Sequence, residues 1–143
     1  MPHPPRLDEQ VCFPLYAASR LVIRLYQPLL EPLGLTYPQY LVMMLLWEDA
    51  SLTVSQIGQR IYLDSSTLTP LLKKLEDKAL IVRKRRPGDE RVVEVSLTKT
   101  GKALGLEAIH IPERLFARIG FPPKEALQLR SSLKRLIARL EMT

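Results

Sequence analysis

Cys12 is the one thiol in this 143-residue chain, and it stands where a regular apolar pattern begins. Val11, Leu15, Ala18, Val22, Leu25 and Leu29 step by four and three residues, which predicts a helix over about 8–30. Pro14 is tolerated only near a helix start, so the regular turns begin close to Cys12. A thiol there meets the positive end of the backbone dipole, which favours thiolate, the nucleophilic form. The plain alternative for a lone cysteine is a small buried hydrophobe. Arg20 and Arg24 lie too far along the helix to assist within one subunit. Tyr26 follows Cys12 by fourteen residues, on nearly the same face but roughly 21 Å along the axis. The two side chains cannot meet within one straight helix, but they can if this helix crosses its mate from a second subunit in antiparallel sense.

A second set of residues suits a polyanion. Residues 73–102 carry ten Lys/Arg against five Asp/Glu, whereas residues 1–72 are slightly acidic, and the whole chain is +6. Concentrated positive charge on a near-neutral frame fits a phosphate backbone, although a charge run alone is as often a solvated surface. Position distinguishes the two. Leu68, Leu71, Leu72 and Leu75 form the buried stripe of a helix running to about Lys78, and its other face shows Ser65, Ser66, Thr67, Thr69, Pro70, Lys73 and Lys74. Short hydroxyls there can reach base edges or phosphates, Pro70 and the threonine methyls can touch a thymine methyl, and the lysines suit phosphates. Ser65 or Ser66 can equally be no more than the helix cap. Ile81–Arg86 and Arg91–Leu97 alternate like strands around Pro87-Gly88-Asp89-Glu90, a turn signal, so they form a hairpin. It presents Arg83, Lys84, Arg85, Arg86 and Arg91, cations suited to a narrow minor groove.

The remaining segments frame these two sets. Thr36 or Tyr37 caps a second helix, nearly all apolar through Trp47, and Thr53 caps a short one over Val54–Tyr62. Thr98 caps a long helix interrupted near Pro112, and Pro122-Pro123 opens the last, with Leu129, Leu133, Leu136 and Leu140 on one face. The expected fold class is mainly α with a small β hairpin. Two short helices followed by a basic hairpin make a winged helix-turn-helix over about 53–98, whose second helix fits the major groove, about 12 Å wide.

Several classes are disfavoured. A 46% hydrophobic fraction argues against disorder. No apolar run approaches the roughly 20 residues that cross a bilayer. Met-Pro-His-Pro-Pro at the start lacks an apolar signal region, and one cysteine makes no intrachain disulfide, so a reducing cytoplasm is expected. His3, His110 and one cysteine give no zinc spacing, so neither metal nor other cofactor is expected. A thiol peroxidase would need a Thr/Arg arrangement beside Cys12 that is not evident, and the chain is read as no enzyme.

The run Asp89-Glu90-Arg91-Val92-Val93-Glu94-Val95-Ser96-Leu97-Thr98-Lys99-Thr100-Gly101 resembles the wing signature of MarR-family regulators. Leu63 to Lys73, Cys12 to Arg20 and Leu35 to Tyr40 are similar to the organic-hydroperoxide-sensing branch of that family. The resemblance is strong over about residues 8–100 and weak beyond. It implies one MarR-like domain over 1–143, with dimerisation helices at about 8–37 and 103–143. It also implies a homodimer that sets one recognition helix and one wing on each half of an inverted repeat in double-stranded DNA. Asp89 then steadies the wing loop and Arg91 contacts DNA. Cys12 is the redox-sensing residue, beside the partner subunit's counterparts of Tyr26 and Tyr37, and the protein is a repressor released when an organic hydroperoxide oxidises it. Some members carry a second cysteine near the C-terminus; this chain has none there, so its oxidised sulfur would pair with a small external thiol or oxidise further. The rival within the family is a repressor released by a small lipophilic or phenolic ligand, with Cys12 structural.

Overall fold

A computed structural model describes all residues, 1–143. A 3-10 turn at Leu7–Glu9 precedes α1 (Cys12–Leu30), and a second at Glu31–Leu33 leads to α2 (Tyr37–Glu48). Then come β1 (Ser51–Thr53), α3 (Val54–Ile61), α4 (Ser65–Asp77), β2 (Ile81–Arg86), β3 (Asp89–Leu97), α5 (Lys99–Glu107), α6 (Ile111–Ile119) and α7 (Pro123–Glu141). The chain divides into two compact units, Met1–Ile111 and Pro112–Thr143. No helix is long and apolar enough to cross a membrane.

Capping explains where the helices begin. Thr36 and Thr53 each accept a hydrogen bond from a glutamine backbone N–H three residues on, Gln39 and Gln56, whose side chains return the bond. Thr98 caps α5 through the Gly101 N–H. For α4 the expectation of a serine cap fails. Asp64 is the cap, its Oδ1 accepting from the Thr67 N–H at 2.9 Å and from Ser66 Oγ at 2.8 Å. These bonds, the Thr67 N–H first, hold the Asp64 carboxyl below its ordinary range. A carboxylate at that position also meets the positive end of the helix dipole, so it outcompetes the hydroxyls that follow it.

Three strands, not two, form the sheet, in the order β1-β3-β2 and antiparallel throughout. The turn is shorter than expected: β3 starts at Asp89, leaving Pro87-Gly88 at the tip with Gly88 at φ +87°. The β2–β3 register shifts between Arg85 and Arg86, so Arg86 pairs with Asp89 while Arg85 pairs with Val93. Val42, Met43 and Leu46 of α2, Ile57 of α3, Leu68, Leu72 and Leu75 of α4, and Ile81 and Val95 of the sheet fill the core. Leu71 is only partly buried, so the inner face of α4 is narrower than its leucine spacing predicts. Each fully buried leucine contributes roughly 1.5–3 kcal/mol, which fixes α4 against α2 and the wing base.

The apolar stripe of α1 has a different fate. Only Leu30 is buried; Val11 is 82% exposed, and Phe13, Leu15, Tyr16 and Leu21 are exposed as well. In the second unit α7 has no buried residue, and Leu127, Leu129 and Leu140 lie open.

Candidate DNA interface and thiol site

With Leu68, Leu72 and Leu75 turned inward, helical geometry puts Ser65, Ser66, Thr67, Thr69, Pro70, Lys73 and Lys74 on the exposed side of α4. Asp64 does the capping, so Ser65 and Thr69 keep their hydroxyls on that open face. Pro70 has no N–H and leaves the Ser66 carbonyl without its usual donor four residues on. Ser65 and Thr69 line an open groove of about 960 Å³ together with Arg83, Arg85, Arg86 and Arg91 of the wing. The groove also takes in Ser55, Gln56, Gln59 and Tyr62 from α3 and its end, residues that sequence reasoning passed over. Their signal was there: α3 carries one strongly polar face opposite the buried Ile57.

The wing cations are not equivalent. Arg83 is the least exposed, its Nη2 donating to Glu76 Oε1 at 3.1 Å and its backbone N–H to Glu76 Oε2 at 3.2 Å. That guanidinium holds the Glu76 carboxyl below its ordinary range. Arg83 therefore braces α4 against β2. Arg85 donates to the Glu90 carbonyl at 2.6 Å, and Arg86 places Nε and Nη2 on Glu94 Oε1 at 3.1 and 2.9 Å. Arg91 is the outstretched one. Its side chain is 94% exposed, with Nε 3.6 Å from Asp89 Oδ1, and Asp89 also accepts the Arg91 backbone N–H at 3.2 Å. Exposed pairs of this kind hold little energy, so Arg91 is available to an incoming phosphate.

Cys12 is exposed at the first turn of α1, where no side chain caps the helix. Because α1 runs unbroken to Leu30, Cys12 and Tyr26 of one chain stay roughly 21 Å apart along its axis. Tyr26 and Tyr37, in contrast, come together, ring centroids 4.7 Å apart, and Tyr40 joins them at 5.7 and 6.5 Å. Tyr40 is a buried third member that the motif comparison did not single out. Burial, and then the neighbouring Tyr37 and Tyr40 oxygens, push the Tyr26 phenol up to about 12; burial also raises Tyr37 and Tyr40. At neutral pH these hydroxyls are protonated and able to donate.

The titration has a measurable consequence. Between about pH 10, where a free tyrosine loses its proton, and pH 12, where Tyr26 does, the folded chain binds more protons than the unfolded one. Stability contributed by the neutral phenol is complete below pH 10 and falls as pH rises through that window. After discount for partial exposure, Tyr26→Phe is expected to remove about 1 kcal/mol of the decline in denaturant unfolding measured across it.

Residues 24–106, more than half of the chain, match the family of transcriptional regulators SarA/Rot. The organic hydroperoxide resistance transcriptional regulator of Bacillus subtilis is 46% identical over 135 residues, covering 94% of this chain and 92% of its own. Among solved structures, reduced AbfR bound to DNA, from Staphylococcus epidermidis, superposes with a TM-score of 0.79 at 33% identity, covering 94% of each chain. Disulfide-formed AbfR superposes with a TM-score of only 0.61 at 38% identity, covering 92% and 93%.

Proposed function

We propose, on the premise that this chain belongs to the MarR family of winged helix-turn-helix transcriptional regulators and to its organic-hydroperoxide-resistance branch, that it is a homodimeric repressor controlled by oxidation of Cys12. The observation that carries the DNA half of this reading is the groove in which Ser65 and Thr69 of α4 share a wall with four wing arginines. A helix laid in the major groove brings those hydroxyls to base edges while the wing reaches the flanking backbone. Two copies read an inverted repeat. The uncovered apolar residues of α1, and separately those of α7, supply a surface for a second copy.

In an antiparallel crossing of two α1 helices, Cys12 of one subunit meets the tyrosine cluster of the other. Neutral Tyr26 and Tyr37 then donate to the thiolate. An organic hydroperoxide transfers its terminal oxygen to sulfur: the O–O bond breaks, sulfur is oxidised to S–OH, and the peroxide leaves as an alcohol after taking up a proton. With no second cysteine in the chain, a small thiol in the reducing cytoplasm attacks that sulfur. It forms a mixed disulfide and expels water. Titration of an inverted-repeat operator with reduced and with hydroperoxide-plus-thiol-treated protein tests the reading. Tight binding by the first and release by the second is expected. Equal binding by both makes Cys12 structural and leaves a ligand-released repressor.

Arg91→Ala is expected to weaken operator binding about ten-fold and to reduce the salt slope of log Kd by about one, for one lost phosphate contact. Arg83→Ala should act differently. It frees Glu76 and loosens the wing base, and so lowers the denaturation midpoint as well as the affinity.

A further inference from the structure

Lys78 ends the recognition helix as the C-cap of α4, and its ammonium reaches across to the turn that carries Tyr37. Lys78 Nζ donates to the Gly34 carbonyl and, at 3.5 Å, to Gln39 Oε1. Gly34 closes the 3-10 turn after α1 in the left-handed conformation at φ +69°. Gln39, the buried polar residue of the chain, spends the same Oε1 on the Thr36 N–H at 3.0 Å, half of the box that caps α2. Tyr37 lies between those two partners in the chain, its ring packed at a tilt against that of Tyr26. At the other end the lysine backbone is held firmly. Its N–H donates to the Lys74 carbonyl, Leu80 N–H returns to Leu75, and Thr98 Oγ1 holds the carbonyl of Ala79.

We propose that Lys78 is a positioning residue that couples the tyrosine-bearing turn, residues 34–39, to the recognition helix. The proposal rests on the redox reading only for what drives the turn; the coupling itself is a property of the reduced fold. A cation donating to a carbonyl at a helix end is favoured by the dipole. Here the carbonyl belongs to one element and the ammonium to another, so displacement of Tyr37 pulls on the end of α4. Coupling between two sites is reciprocal. DNA seated on α4 must therefore steady residues 34–39 through the same lysine.

Amide hydrogen exchange on reduced, operator-saturated protein reads this directly. In wild type, DNA is expected to slow exchange at Thr36 and Gln39 about five-fold or more, and in Lys78→Met, which keeps the aliphatic stem, by less than about two-fold. Lys78→Arg, which keeps a donor, should restore the protection. Exposure of Lys78 makes misfolding no obstacle, and Lys78→Gln serves as a second neutral variant. Equal protection in wild type and both neutral variants overturns the proposal, as does failure of DNA to protect the turn at all. A second arm compares the ratio of oxidised to reduced Kd. That ratio should shrink about five-fold in Lys78→Met, because the oxidised variant holds its DNA. If wild type shows exchange coupling but no oxidative release, the Cys12 reading has failed and the lysine coupling stands.

Discussion

Gly101→Ala should destabilise the protein by about 3 kcal/mol or more, seen as a large fall in the urea midpoint. A Cβ at position 101 would lie 2.1 Å from the Leu80 carbonyl oxygen and 3.1 Å from both the Leu80 carbonyl carbon and Leu97 Cδ2. The severe clash, with the Leu80 carbonyl, is with backbone, and that backbone cannot swing aside. Thr98 N–H donates to the Leu80 carbonyl at 3.1 Å, Thr98 Oγ1 to the Ala79 carbonyl, and Ala79 holds a left-handed φ of +60°. Trp47 Nε1 also donates to the Gly101 carbonyl at 2.9 Å, so a shift of α5 would strand the indole N–H. Gly88→Ala makes the control. A Cβ there meets open space and only the left-handed φ opposes it, so about 1 kcal/mol is expected. The wing signature ends on glycine for a packing reason: that is where α5 passes against the exit of the recognition helix.

Such close approaches explain which features can be read along the chain. Thr53 and Thr98 are legible as caps, and Thr36 as one of two candidates with Tyr37, because a cap is a local device, complete within four residues. Asp64 was obscured by the serines after it, although the carboxylate is the stronger acceptor for the Thr67 N–H. β1 is three residues long and owes its extended form to Val95 and its neighbours on β3, so nothing within Ser51–Thr53 announces a strand. The candidate surface of α4 was legible because its buried leucines settle which residues face outward. Division of labour among the arginines was not. Arg83 braces and Arg91 projects because Glu76 lies seven residues before the one and a tight turn precedes the other, and only the packed hairpin fixes both distances. For α1, periodicity marks the apolar face but cannot say what covers it. The chain leaves Val11 and Leu15 of that stripe open, and the proposed second copy is what would cover them.

Cys12→Ser should leave reduced-state affinity for the operator within about two-fold of wild type while abolishing release by hydroperoxide and thiol. In wild type the same treatment should weaken binding about 100-fold. The first expectation follows from position. Within its own chain Cys12 is exposed, a serine hydroxyl in its place can still accept from the tyrosine hydroxyls of the proposed dimer, and serine is well tolerated at a helix start. The second follows from chemistry, because an alkyl hydroxyl does not reduce a peroxide and forms no disulfide. The size expected for wild type follows from the dimer proposed above. A sulfenic oxygen adds a single atom to a site bounded by tyrosines, and their protonated hydroxyls can still donate to it. In the proposed dimer a mixed disulfide would add a whole thiol molecule where α1 of one subunit meets the Tyr26–Tyr37 pair of the other. The tyrosine cluster cannot absorb that volume internally, since Tyr40 within it is buried against Trp47, with ring centroids 6.2 Å apart. In that dimer the displacement would pass instead to the turn before α2 and to the spacing of the two α4 helices, where misplacing one half-site forfeits several phosphate contacts together. Hydroperoxide without thiol should accordingly release much less DNA than the two together, measured by fluorescence anisotropy on the same operator. Full release by hydroperoxide alone would mean that the first oxygen, and not the added thiol, moves the tyrosines.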